Sequence, residues 1–156
     1  MIATSILGNV NDLPSTDDLS IDYADFDNES RVKRVQRVTT EGGTEIGLKL
    51  DNDVRELADG DILARDGNNL IVVRILPTDV LVIAPRSIRE ALVIAHTLGN
   101  RHLQAQFFDH EPPFMDEVMV VRYDHTVEHY LDHVDARYER GDFVMPKAFR
   151  HAEHTH

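Results

Sequence analysis

Apolar positions change their period near residue 77 of the chain. Before that point the runs are short and broken by turn residues. "MIATSILGNV" mixes β-branched and apolar residues and stops at the turn-like "NDLPSTDD". In "SRVKRVQRVTT", Val32, Val35 and Val38 are spaced by three, a pattern open to a helical turn or a twisted, half-exposed strand. "EGGTEIGLKL" predicts a turn and then a strand with Ile46, Leu48 and Leu50 on one face. "LADGDILARDGNNLIVVRIL" places Asp-Gly and Gly-Asn turns between apolar runs, a hairpin signature. Residues 1–75 therefore read as a small all-β domain.

The second half alternates strands with helices. "VLVIA", 80–84, is a continuous apolar run suited to a central strand. "PRSIREALVIAHTLGN" follows, with Ser87 and Glu90 spaced as a capping box. Ile88, Ala91, Leu92, Ala95 and Leu98 fall at helical spacing, and Gly99 suits the left-handed position that ends a helix. "LQAQFFD" and "EVMVVRY" read as strands on either side of a Pro112-Pro113 loop. In "DHTVEHYLDHVDARYERG", Asp124 is the expected N-cap and Val127, Tyr130, Leu131, Val134 and Tyr138 the apolar stripe. Gly141 would end that helix, and "DFVMP" would be a last strand. The expected fold is α+β, with residues 76–146 in a ferredoxin-like βαββαβ order. Residues 147–156 read as a polar, flexible tail.

A formal net charge of −12 disfavours nucleic acid and anionic membranes as partners, and favours cations and basic proteins. The N-terminus does not read as a signal peptide, and no apolar run approaches the roughly 18 residues of a membrane span. A cytoplasmic location is the resulting expectation. The absence of cysteine excludes disulfides and thiolate metal sites. Soft-metal chemistry would have to rest on histidine.

Nine histidines are present, none before His96. His102 follows the first helix, where helix-end carbonyls favour a cation. His125, His129 and His133 are spaced i, i+4, i+8 along the polar side of the second helix. His125, at the helix start, is the stronger metal candidate; His129 and His133 read as a solvated face. His151, His154 and His156 cluster in the tail, where histidine-rich composition binds divalent metals weakly. His96 and His110 carry no specific role. Gly-rich phosphate loops, GxSxG elbows and His-Glu-x-x-His pairs are absent from the sequence. Three functions stay open on the residues alone: metal carriage, a metal-dependent enzyme using His110, His125 and nearby carboxylates, and a structural adaptor with incidental histidines.

"LGNRH", 98–102, followed by a strand and then by "RYDHTVEHYL", 122–131, closely resembles the UreE family of urease accessory proteins, nickel chaperones of urease maturation. "GDIL", 60–63, matches a pattern of that family's N-terminal domain. The resemblance spans essentially the whole chain. It implies a non-enzymatic homodimer that carries Ni(II), with Zn(II) and Cu(II) as further ions able to bind, and delivers it to urease and its other accessory proteins. His102 falls on the central nickel ligand, which two protomers share at a two-fold interface. His125 falls on an accessory ligand, and His151, His154 and His156 resemble a metal-binding tail. His129 and His133 match no ligand position. The N-terminal domain would be a docking surface.

Overall fold

The computed structural model describes residues 1–150 and resolves into two compact units, one of Met1–Leu76 with Val144–Ala148 and one built on Pro77–Phe143. The first unit holds two three-stranded sheets. In one, β1 (Ile2–Ala3) runs parallel to the central strand, while β2 (Ser20–Phe26) belongs to the other sheet. β3 (Val35–Thr39) and β4 (Glu45–Lys49) complete the first sheet, in the order β1-β4-β3. β5 (Ile62–Asp66) and β6 (Asn69–Ile75) form the expected hairpin around Gly67, and β2 joins β6 in parallel.

β6 is buried on both faces, and its alternate side chains enter two clusters. Ile71, Val73 and Ile75 join Ile46, Leu48 and Phe26, whereas Leu70 and Val72 pack with Ile62. The three-residue spacing of "SRVKRVQRV" resolves into both of its readings, a 3-10 turn at Ser30–Val32 and then β3. β2 is a strand that hydropathy does not announce, because it carries two aspartates. Each has a designated partner. Asp25 pairs with Arg74, its cross-strand neighbour, at 2.7 Å. Asp22 accepts from Thr40 Oγ1 and from the Gly42 N–H, tying β2 to the β3–β4 turn.

Arg31 is the largest polar group in this unit's interior, at 2% exposure. Its guanidinium donates to the carbonyls of Leu57 (3.1 Å), Met145 (2.8 Å) and Pro146 (3.3 Å). That clasp explains why residues 144–148 join the first unit. At the start of the expected tail 147–156, Ala148 and Phe149 are buried, and residues 151–156 lie outside the described residues.

The second unit contains β7 (Thr78–Ile83), α1 (Ile88–Asn100), β8 (Ala105–Asp109), β9 (Glu117–Arg122), α2 (His125–His133) and β10 (Tyr138–Phe143). Its antiparallel sheet has the order β10-β7-β9-β8. Leu81, Ile83, Met119 and Val121 of the sheet pack against Ile94 and Leu98 of α1 and Val127 and Leu131 of α2. Two expected boundaries move. α2 stops at His133, not near Gly141, because Asp135 takes a left-handed conformation (φ 54°). Its N–H bonds Asp132 O (3.2 Å) and that of Ala136 bonds Leu131 O (2.9 Å), a complete Schellman motif without glycine. The chain then enters β10 four residues earlier than "DFVMP" implied, and Tyr138 lies in the strand. The apolar stripe of α1 also shifts: Ile94 and Leu98 are buried, whereas Ile88 is 81% and Leu92 66% exposed. No described helix is long and apolar enough to cross a membrane.

Replacing Arg31 by methionine would leave three carbonyls without their donor. Urea denaturation should show a loss of about 2–4 kcal/mol, given the cost of unmade buried hydrogen bonds. An unchanged midpoint would contradict the clasp.

Candidate metal centre

Helix α1 begins as its sequence implies. Ser87 Oγ accepts from the Glu90 N–H at 3.1 Å, and the Glu90 carboxylate returns to the Arg86 N–H at 3.2 Å, one residue earlier than in an ordinary capping box. The other end departs from expectation. Gly99 lies inside the helix, and the left-handed residue is His102 itself, with φ 57°. The His102 N–H bonds Gly99 O at 3.0 Å, and Leu103 returns to the core beside Leu98. The helix stop and the candidate ligand are therefore one residue. Its side chain is exposed.

Neighbouring residues hold this corner against α2. Arg101 donates to Thr126 Oγ1 at 3.5 Å, and its guanidinium lies 5.7 Å from the Tyr130 ring. Asp124 caps α2 as expected, accepting from the Thr126 and Val127 N–H groups. The hydroxyl and backbone N–H of Thr126 hold the Asp124 carboxyl below its usual range. His125 is exposed at this same helix start, one residue from the Thr126 that Arg101 contacts.

On the far side of α2, the Tyr138 phenol donates to Asp132 Oδ1 (2.6 Å) and Glu128 Oε2 (3.2 Å). These carboxylates raise the phenol well above its ordinary pKa. The helical reading of residues 134–140 hid this anchor. A visible signal was Asp135 itself, since aspartate is one of the few non-glycine residues that visits the left-handed region.

His110 sits apart, in the loop between β8 and β9. Its Nδ1 lies 2.7 Å from Asp109 Oδ1 and its Nε2 4.0 Å from Asp116 Oδ1. It lines a groove of about 550 Å³ between this loop and α1, with Ile88, Leu92 and Phe107 among the apolar walls and Asp116 on its rim. His125 does not line that groove. The His110–His125 pairing that a hydrolytic metal site would need is not assembled there. Among the described residues, no three His, Asp or Glu side chains converge to hold a metal ion. His151, His154 and His156 lie outside the described residues.

The family model of the UreE urease accessory protein N-terminal domain matches residues 3–76. The urease accessory protein UreE of Corynebacterium urealyticum is 54% identical over 160 aligned residues, covering 100% of both chains. The chain belongs to the UreE family of urease accessory proteins. Full-length UreE relatives from Arthrobacter sp. (strain FB24) and Actinomyces naeslundii are 52% and 50% identical, again over 100% of both chains. Membership of a family of accessory proteins makes this chain a helper of an enzyme and not an enzyme itself.

Hydrogen bonding to Asp109, helped by the charges of Asp109, Asp116 and Glu117, raises the His110 pKa above 6.5. A raised folded-state pKa stabilises most fully below 6.5, and that contribution fades as pH rises through the folded value. NMR titration should therefore give His110 a midpoint above 6.5, and Asp109→Asn should bring it down. An Asp109→Asn midpoint equal to that of the native chain would refute this origin of the shift.

Proposed function

We propose that this UreE-family chain is a cytoplasmic nickel chaperone that acts as a homodimer and delivers Ni(II) to the urease activation complex. Two copies of His102 share one ion in this reading. His125 is an accessory ligand, and His151, His154 and His156 supply further tail ligands. Residues 76–146 serve as the ferredoxin-like metal-binding domain, consistent with their strand–helix alternation and sheet order. Residues 1–75 serve as the surface that docks on urease and its other accessory proteins.

One observation carries the proposal: His102 leaves α1 in a left-handed conformation at the end of an uncovered helix face. Ile88, Leu92, Ala95 and Gly99 follow one another at spacings of four, three and four along that face. The large apolar residues at its start are exposed, and a Cβ at Gly99 would meet open space. A second helix could approach closely at the small-residue end, beside His102. A two-fold interface would bring each His102 to its own copy.

Imidazole chemistry suits delivery. Neutral imidazole binds Ni(II), Cu(II) and Zn(II) alike, and a site without thiolates holds an ion without trapping it. Zn(II) or Cu(II) could therefore occupy the site in place of the cargo. Acid should release the ion, because imidazole must lose its proton to coordinate.

His102→Ala should remove the tightest nickel-binding step in calorimetry while changing stability by no more than about 1 kcal/mol. Unaltered nickel affinity would overturn the assignment. Leu92→Asp should convert the dimer to monomer in sedimentation, and a persistent dimer would move the interface elsewhere.

A further inference from the structure

The outer face of α2 offers a second arrangement for metal. His125, His129 and His133 are all exposed and follow one another at four-residue spacing on a nine-residue helix. Side chains four apart on an α-helix stand with Cβ atoms about 5–6 Å apart on one face. Two imidazoles so placed can converge on one ion. Among the described residues, the histidine rings with a hydrogen-bond or ion-pair partner are those of His96 and His110. The rings on α2 are free to turn toward a cation.

The backbone beneath them is fixed. Val127 and Leu131 are buried on the opposite face. Asp124 closes the first turn and the Asp135 Schellman motif the last. Tyr138 ties Glu128 and Asp132 along one flank. The Val134 N–H still bonds Tyr130 O at 3.1 Å, so the turn from 129 to 133 is regular helix. Little chain ordering is left for a ligand to impose.

Helix polarity separates the two candidate pairs. His125 occupies the first turn, at the positive end of the helix dipole, where the Asp124 carboxylate is already engaged by the Thr126 and Val127 N–H groups. His133 occupies the last turn, at the negative end of the helix dipole, and Asp132 and Asp135 add negative charge beside it.

We propose that His129 and His133 form a bidentate imidazole site for a divalent transition metal of the Ni(II), Cu(II) and Zn(II) class, one per protomer. Water fills the remaining coordination positions. The site needs neither a second copy of the chain nor the tail. With two protein ligands it is weaker and faster to exchange than a shared, closed site, as an entry point for cargo requires.

The test uses the full chain with His102, His125, His151, His154 and His156 all replaced by alanine, titrated with Ni(II) alone. Calorimetry should still find one ion per protomer, with paramagnetic broadening centred on the backbone amides of 129–133. Adding His129→Ala or His133→Ala should weaken that binding roughly a hundredfold, the loss expected when one arm of a chelate is removed. The proposal is overturned if that chain binds no nickel, if broadening centres elsewhere, or if His133→Ala leaves binding as it was. His102→Ala alone tests the shared site and leaves this one in place, so either reading can fail without the other.

Discussion

Helix α1 must end where a side chain can be presented, and it ends on a residue that is not glycine. A left-handed L-residue costs about 1–2 kcal/mol. The His102 N–H bond to Gly99 O and the return of Leu103 to the core offset that cost. The consequence is directional. A histidine one residue earlier would still lie on the helix, whereas His102 projects from its end. The contact of Arg101 with Thr126 and Tyr130 then holds that end beside the start of α2, so the corner bearing His102 adjoins the turn bearing His125.

Polar anchoring recurs throughout. Arg31 binds the returning chain at Met145 and Pro146, Asp22 fastens β2 to the β3–β4 turn, and Tyr138 secures α2 to β10. Each replaces apolar packing with directed bonds at a place where the chain must turn back. Such a scaffold leaves large apolar groups of α1 uncovered without loosening the helix that carries them. An exposed stripe on a well-fixed helix is the condition for a self-complementary interface, and histidine beside it is the condition for sharing an ion.

Much of this was legible in the residues. The capped starts of both helices, the β5–β6 hairpin and the alternation of strands and helices after residue 77 follow from period and capping chemistry. Four features did not show. β2 was hidden because Asp22 and Asp25 break its apolar pattern, and their partners Thr40, Gly42 and Arg74 are distant in sequence. The end of α2 was missed because helical periodicity continues through Val134 and Tyr138 although the backbone reverses at Asp135. Gly99 was assigned the helix stop on residue type alone, while the left-handed position fell to His102. The buried Ala148 looked like tail because Arg31, which binds the chain just before it at Met145 and Pro146, lies more than a hundred residues upstream. The metal candidates came from histidine chemistry and from resemblance. The helix polarity that separates His133 from His125 becomes useful only once the ends of α2 are known.

The central claim is that one nickel ion is held between two copies of His102. Native mass spectrometry at half an equivalent of Ni(II) per chain measures this directly. A dimer carrying a single ion as the dominant loaded species is the expected result. Nickel-loaded monomers, or ions spread over dimers without preference for one per pair, would contradict it.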